Sequence, residues 1–71
     1  MDNIVGRNFT GQVKGYTTRG NPVASMDIED IQPDVIITKY LRRPRENDRV
    51  EYTVTGYKNN VFFARLIRIL D

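Results

Sequence analysis

The sequence predicts an all-β domain, a small five-stranded antiparallel barrel. Three observations predict it. β-branched and aromatic residues dominate the apolar blocks, the blocks are short and often alternate with polar residues, and Gly, Pro and Asn cluster between them. With 71 residues, the chain holds one domain whose core covers a modest share of the unfolded surface.

The first strand is expected from about Arg7 to Thr17, with Phe9, Gly11, Val13 and Gly15 facing inward and Thr10, Gln12, Lys14 and Tyr16 outward. Its inward glycines permit a sharp bend or a bulge. Thr18-Arg19-Gly20-Asn21-Pro22 has turn chemistry, and Val23 to Met26 then forms a short second strand that completes a hairpin. Asp27 to Pro33 is acidic, lacks alternation and ends in proline, so it reads as a loop or one helical turn without an assigned role.

The third strand, Asp34 to about Leu41, is the β-branched run Val35-Ile36-Ile37-Thr38 followed by Lys39-Tyr40. Charge, Pro44 and the Asn47-Asp48 pair make Arg42 to Asp48 a loop. Strand four, Arg49 to Tyr57, alternates between Val50, Tyr52 and Val54 inward and Glu51, Thr53, Thr55 and Tyr57 outward. A turn between Gly56 and Asn60 leads to strand five, Val61 to about Leu70, whose apolar residues occupy both parities. Phe62, Ala64 and Leu66 are expected inside and Phe63 and Arg65 outside, a bulge being able to reverse part of this facing, with a helical C-terminus as the other reading of this segment. Val13, Ile37, Val50, Tyr52, Val54 and Ala64 form the expected core, together with Phe9.

Five short strands cannot leave two long edges exposed, and closing into a barrel removes them. The strand count is that of the oligonucleotide-binding (OB) barrel. An SH3-like barrel is the alternative, because periodicity does not distinguish two small five-stranded barrels.

The chain has no Cys and no His, which removes disulfides, thiol nucleophiles, the usual soft metal ligands and the commonest general base. Asp27, Glu29 and Asp30 cluster, but their spacing is not that of a calcium loop, and no phosphate-cradling glycine loop or nucleophile elbow occurs. The expectation is a protein without catalytic residues, metal or cofactor. Met1-Asp2-Asn3 is polar, and no apolar run approaches the roughly 18 residues of a membrane span, so a soluble, untargeted, cytoplasmic chain without a membrane partner is expected.

Net charge is +2, unevenly distributed. Residues 1–34 carry three basic side chains against five acids, and residues 35–71 carry eight against four. A basic face built by the C-terminal half would attract phosphate, although a solvated mixed surface has the same composition. Basic residues interleave with aromatics, the combination that binds single-stranded nucleic acid by stacking bases and neutralising phosphates. The candidates are Lys14 and Tyr16 in strand one, Arg19 in the first turn, Lys39 and Tyr40 in strand three, Arg42, Arg43 and Arg45 in the basic loop, and Phe63 with Arg65 in strand five. The competing role of these aromatics is to fill the core, and that of the arginines is to keep a loop soluble.

Val5-Gly6, Arg19-Gly20 with Val23-Ala24, Asn47-Asp48-Arg49-Val50, and Asn60 with Phe63-Ala64 follow one another in an order that resembles the TRAM domain. The similarity spans nearly the whole chain and is strongest from Asn47 to Leu66. The sequence departs from the family where Asn47 replaces the usual glycine before the aspartate, where Pro22 stands at a typical glycine, and where Asp27 to Lys39 is longer. The resemblance implies an OB-like barrel that binds RNA. It also implies the stand-alone kind of member, mostly archaeal and similar to cold-shock proteins in role, that acts as an RNA chaperone or accessory factor. The expected partner is RNA, single-stranded or structured. The alternative is a docking module of a larger protein assembly, which the acidic Asp27 to Asp34 segment and low net charge would suit.

Overall fold

The computed structural model describes residues 4–27 and 33–70. Most of the acidic segment read as a loop lies outside the described residues. Five strands, β1 (Asn8–Tyr16), β2 (Pro22–Ala24), β3 (Val35–Lys39), β4 (Arg49–Lys58) and β5 (Val61–Leu70), close into one barrel in the order β1-β2-β3-β5-β4. β4 returns to pair with β1, Phe9 opposite Tyr52 and Gln12 opposite Arg49. The all-β closed barrel expected from the sequence is therefore the fold, and the last strand is extended to Leu70 rather than helical.

One seam corrects the all-antiparallel expectation: β3 and β5 run parallel, Val35 opposite Phe62 and Ile37 opposite Ala64. The cause is the segment 40–48, which crosses one end of the barrel instead of turning back as a hairpin. β4 thus lies beside β1, and β5 is left to pair with β3 through a long crossover, as parallel strands require. This non-consecutive order is of the Greek-key type that characterises the OB barrel.

Val13, Ile37, Val50, Tyr52, Val54 and Ala64 are fully buried, joined by Ala24, Met26, Val35 and Phe62. Phe9 and Leu66, expected in the core, are half-buried and pack against its rim. The strict alternation expected along strand four is broken by a register shift between Val54 and Gly56. Tyr57 consequently lies on the side of Phe62, its ring 4.6 Å from that ring, rather than on the outer face with Thr53.

β2 is shorter than expected, yet the chain stays against β1 beyond Ala24. The Ser25 N–H donates to the Gln12 carbonyl (3.0 Å) and the Asp27 N–H to the Thr10 carbonyl (2.9 Å). Gly11 permits this approach, since a Cβ there would stand 1.8 Å from the Ser25 carbonyl oxygen. That oxygen accepts the Tyr52 hydroxyl at 2.8 Å, giving the largest core side chain a partner for its one polar atom. Burial pushes the Tyr52 phenol well above its usual range, and the nearby negative charge of Asp27 pushes the same way.

Candidate nucleic-acid interface

The strand directions bring the β1–β2 turn, the end of β3, the 40–48 loop, the start of β4 and the end of β5 to one end of the barrel. Arg19, Lys39, Arg42, Arg43, Arg45 and Arg49 are all contributed there, from separate stretches of sequence.

The basic loop is built rather than merely solvated. Pro44 is buried against the end of the barrel, and its carbonyl accepts the Tyr16 hydroxyl at 2.6 Å. The Asp48 carboxylate accepts the Arg45 N–H (2.8 Å), closing a tight turn in which Asn47 adopts a φ of 75°. Asn tolerates this left-handed conformation better than other side-chain-bearing residues, and glycine adopts it freely, so Asn47 meets the backbone demand by which a glycine would be chosen here. The turn is tied to β1 from both sides: the Asn47 N–H donates to the Val13 carbonyl (2.8 Å) and the Val13 N–H to the Asp48 carbonyl (2.9 Å). Gln12 Nε2 adds a bond to the Asn47 carbonyl at 3.0 Å.

The β1–β2 turn is joined to this loop by Arg43. Its Nε–H donates to the Gly20 carbonyl (3.2 Å), and its guanidinium lies 4.1 Å from the centre of the Tyr16 ring. Gly20, at a φ of 89°, makes the turn that presents this carbonyl. Between loop and strands opens a cleft of about 530 Å³ lined by Arg42, Arg43, Arg45, Asn47, Asp48, Arg49, Ile69 and Leu70.

The ten sequence candidates separate into groups. Tyr16, Arg19, Lys39, Arg42, Arg43 and Arg45 share the loop end of the barrel. Arg65 stands on the outer wall directly opposite Lys39 on β3, so two cations face each other across the seam. Like charges opposed on neighbouring strands repel, and an anion bridging them would relieve that. Phe63 lies further along the same strand, outward and half-buried between Ile36 and Gly56. Lys14 is ion-paired to Asp34, away from the cleft. Tyr40 is half-buried and packs against the core.

Sequence reasoning misses Arg49, which opens an alternating strand and has the look of ordinary outward charge. It lines the cleft while its guanidinium pairs with Asp27 at 2.7 Å. Among the described residues, no carboxylate lies within ion-pairing distance of Arg19, Lys39, Arg42, Arg43, Arg45 or Arg65; the ion pairs formed are Lys14–Asp34, Arg49–Asp27 and Arg68–Glu51. No cluster of metal-ligating side chains occurs among the described residues, and no helix there is long and apolar enough to cross a membrane. Comparison with protein-family models and with curated proteins returns no match.

Proposed function

We propose that this protein binds RNA without catalysing a reaction on it, as a low-specificity RNA chaperone or accessory factor of the cytoplasm. The observation that carries this is the convergence of Arg19, Lys39, Arg42, Arg43 and Arg45 at one end of the barrel, with no carboxylate partner among the described residues. A net charge of +2 dispersed over the surface would give phosphate little purchase. Gathered on a loop held at Pro44, Asn47 and Asp48, the same charge forms a local positive field with little ordering entropy left to lose on binding. The facing pair Lys39 and Arg65 extends the field onto the outer wall toward Phe63, where a base has a ring to stack on. The resemblance to the TRAM domain supports the same conclusion.

The test is a titration of labelled single-stranded RNA over a range of salt concentrations. Replacing Arg42, Arg43 and Arg45 together by Ala weakens binding and flattens the log–log salt slope by roughly 0.7 for each phosphate that is no longer neutralised. An unchanged slope in the triple variant removes the loop from the interface.

A second function, docking on a protein assembly, is favoured by one specific feature. Beyond Arg65, β5 pairs with β4 but no longer with β3, so among the described residues one edge of Leu66 to Leu70 has no strand beside it. Leu41 is fully exposed next to this edge, and Ile67 is 44% exposed. A wild-type chain that binds no RNA even at low salt favours docking through this edge.

A further inference from the structure

Arg43 differs from the other arginines of the cleft in being held on one face and one edge. Its guanidinium covers the Tyr16 ring at 4.1 Å, and its Nε–H is committed to the Gly20 carbonyl. Tyr16 is itself anchored through its hydroxyl to Pro44, so the platform beneath the guanidinium is fixed to both the strand and the loop. The side chain remains exposed and lines the cleft. A guanidinium lying over a ring on one side and exposed to the cleft on the other can offer its free face to a second planar group. Arginine planes stack nucleobases in this way, and lysine has no equivalent surface.

The rest of the cleft fits one nucleotide. Its volume of about 530 Å³ falls within the ~300–1,000 Å³ of small-ligand sites. Ile69 and Leu70 supply apolar wall, and Arg42 and Arg45 supply guanidinium groups without carboxylate partners among the described residues. No aromatic side chain lines the cleft, so a base entering it finds Arg43 as the planar surface available for stacking.

We infer that the cleft is a nucleotide subsite in which the Tyr16-supported guanidinium of Arg43 stacks on a nucleobase, while Arg42 and Arg45 take the flanking phosphates. This rests on the RNA-binding function proposed above and assigns Arg43 a role different from that of its neighbours. The base is held by its face, so the subsite accepts any of the four bases.

The experiment compares Arg43→Lys with Arg45→Lys in the full chain, using a short single-stranded RNA that carries 2-aminopurine. Both variants keep their charge, so the salt slope of each stays at the wild-type value. Arg43→Lys loses about 5–150-fold in affinity, the range of one stacked base, and the change in 2-aminopurine emission expected on binding to the wild type is lost. Arg45→Lys keeps the change in 2-aminopurine emission and loses less affinity than Arg43→Lys, because a phosphate accepts a lysine as a point charge whereas a stacked base does not. Tyr16→Leu, which removes the support beneath an unchanged Arg43, reproduces the loss of the emission change, and thermal unfolding of each variant checks that the barrel persists. Wild-type binding with Arg43→Lys equal to it in affinity and in emission change overturns the stacking role and leaves RNA binding standing. Absence of RNA binding by the wild-type chain overturns both.

Discussion

Gly11→Ala tests the packing of β1 against the segment that follows β2. The added methyl group would stand 1.8 Å from the Ser25 carbonyl oxygen, where side-chain carbons essentially never come closer than 3.0 Å. The obstacle is backbone, which cannot swing aside as the tip of a side chain does. Either the segment after β2 retreats from β1 by roughly 1 Å or more, or β1 bends away. Retreat stretches the 2.8 Å hydrogen bond from the Tyr52 hydroxyl and leaves a buried donor without its acceptor. Overpacking costs about 1–3 kcal/mol and the unsatisfied hydroxyl about 1–3 kcal/mol more. A chain of 71 residues has a total stability of about 4–10 kcal/mol, so Gly11→Ala removes a large part of it. The melting temperature falls by roughly 10 °C or more, followed by circular dichroism. Gly15→Ala is the control, since nothing lies within 4 Å of its added Cβ and its φ is not in the left-handed region. That variant is unchanged, or stabilised by up to about 1 kcal/mol through the unfolded state. Equal melting temperatures for the two variants would refute the close approach of Ser25 to Gly11.

Two further outcomes follow from the same geometry. At Asn47, with its φ of 75°, replacement by Ala costs about 1 kcal/mol and lowers the melting temperature by about 4–8 °C, whereas Asn47→Gly leaves it unchanged or higher; indistinguishable variants would show that the turn has another conformation in solution. Tyr52, whose phenol is raised by burial first and by Asp27 second, makes stability depend on pH on the alkaline side. The folded chain holds that proton more tightly than the unfolded one, so the contribution is complete below the ordinary phenol value of about 10 and is lost as pH rises above it. Urea midpoints therefore fall above about pH 10 in the wild type and fall less steeply in Tyr52→Phe, and parallel curves would show that Tyr52 ionises alike in both states.

The strands are legible because each carries its period or its punctuation. Val50, Tyr52 and Val54 mark the buried face of β4 by simple alternation, and all three are fully buried. The two-residue step at Asn59 and Asn60, both at positive φ, turns β4 into β5 as Asn-rich hairpins do. Periodicity fails wherever a bulge inserts a residue. Tyr57 crosses to the Phe62 side for that reason, and nothing local to Gly56 announces it except the glycine. The parallel seam is equally hidden, because strand direction depends on where the 40–48 segment travels and not on the composition of β3 or β5. Alternation reports which face of a strand is apolar and is silent about its neighbour.

The site is legible in its ingredients and illegible in its assembly. Arg42, Arg43 and Arg45 are conspicuous as a run, but a run of arginines has the same sequence whether it dangles in water or is fastened to a barrel. The difference lies in partners far along the chain: Tyr16 for Pro44, Val13 for Asn47 and Asp48, and Gly20 for Arg43. Lys14 shows the converse, since alternation places it on the outer face of β1 while Asp34, twenty residues on, holds its charge away from the cleft. Arg49 looks ordinary at the head of an amphipathic strand and becomes part of the cleft only because β4 begins where the loop ends. Charge patterning along the chain thus counts the cations available to a phosphate. Pairing between distant residues decides which of them keep no carboxylate partner among the described residues; of those, Arg19, Lys39, Arg42, Arg43 and Arg45 come to the loop end, while Arg7, Lys58 and Arg65 stand elsewhere.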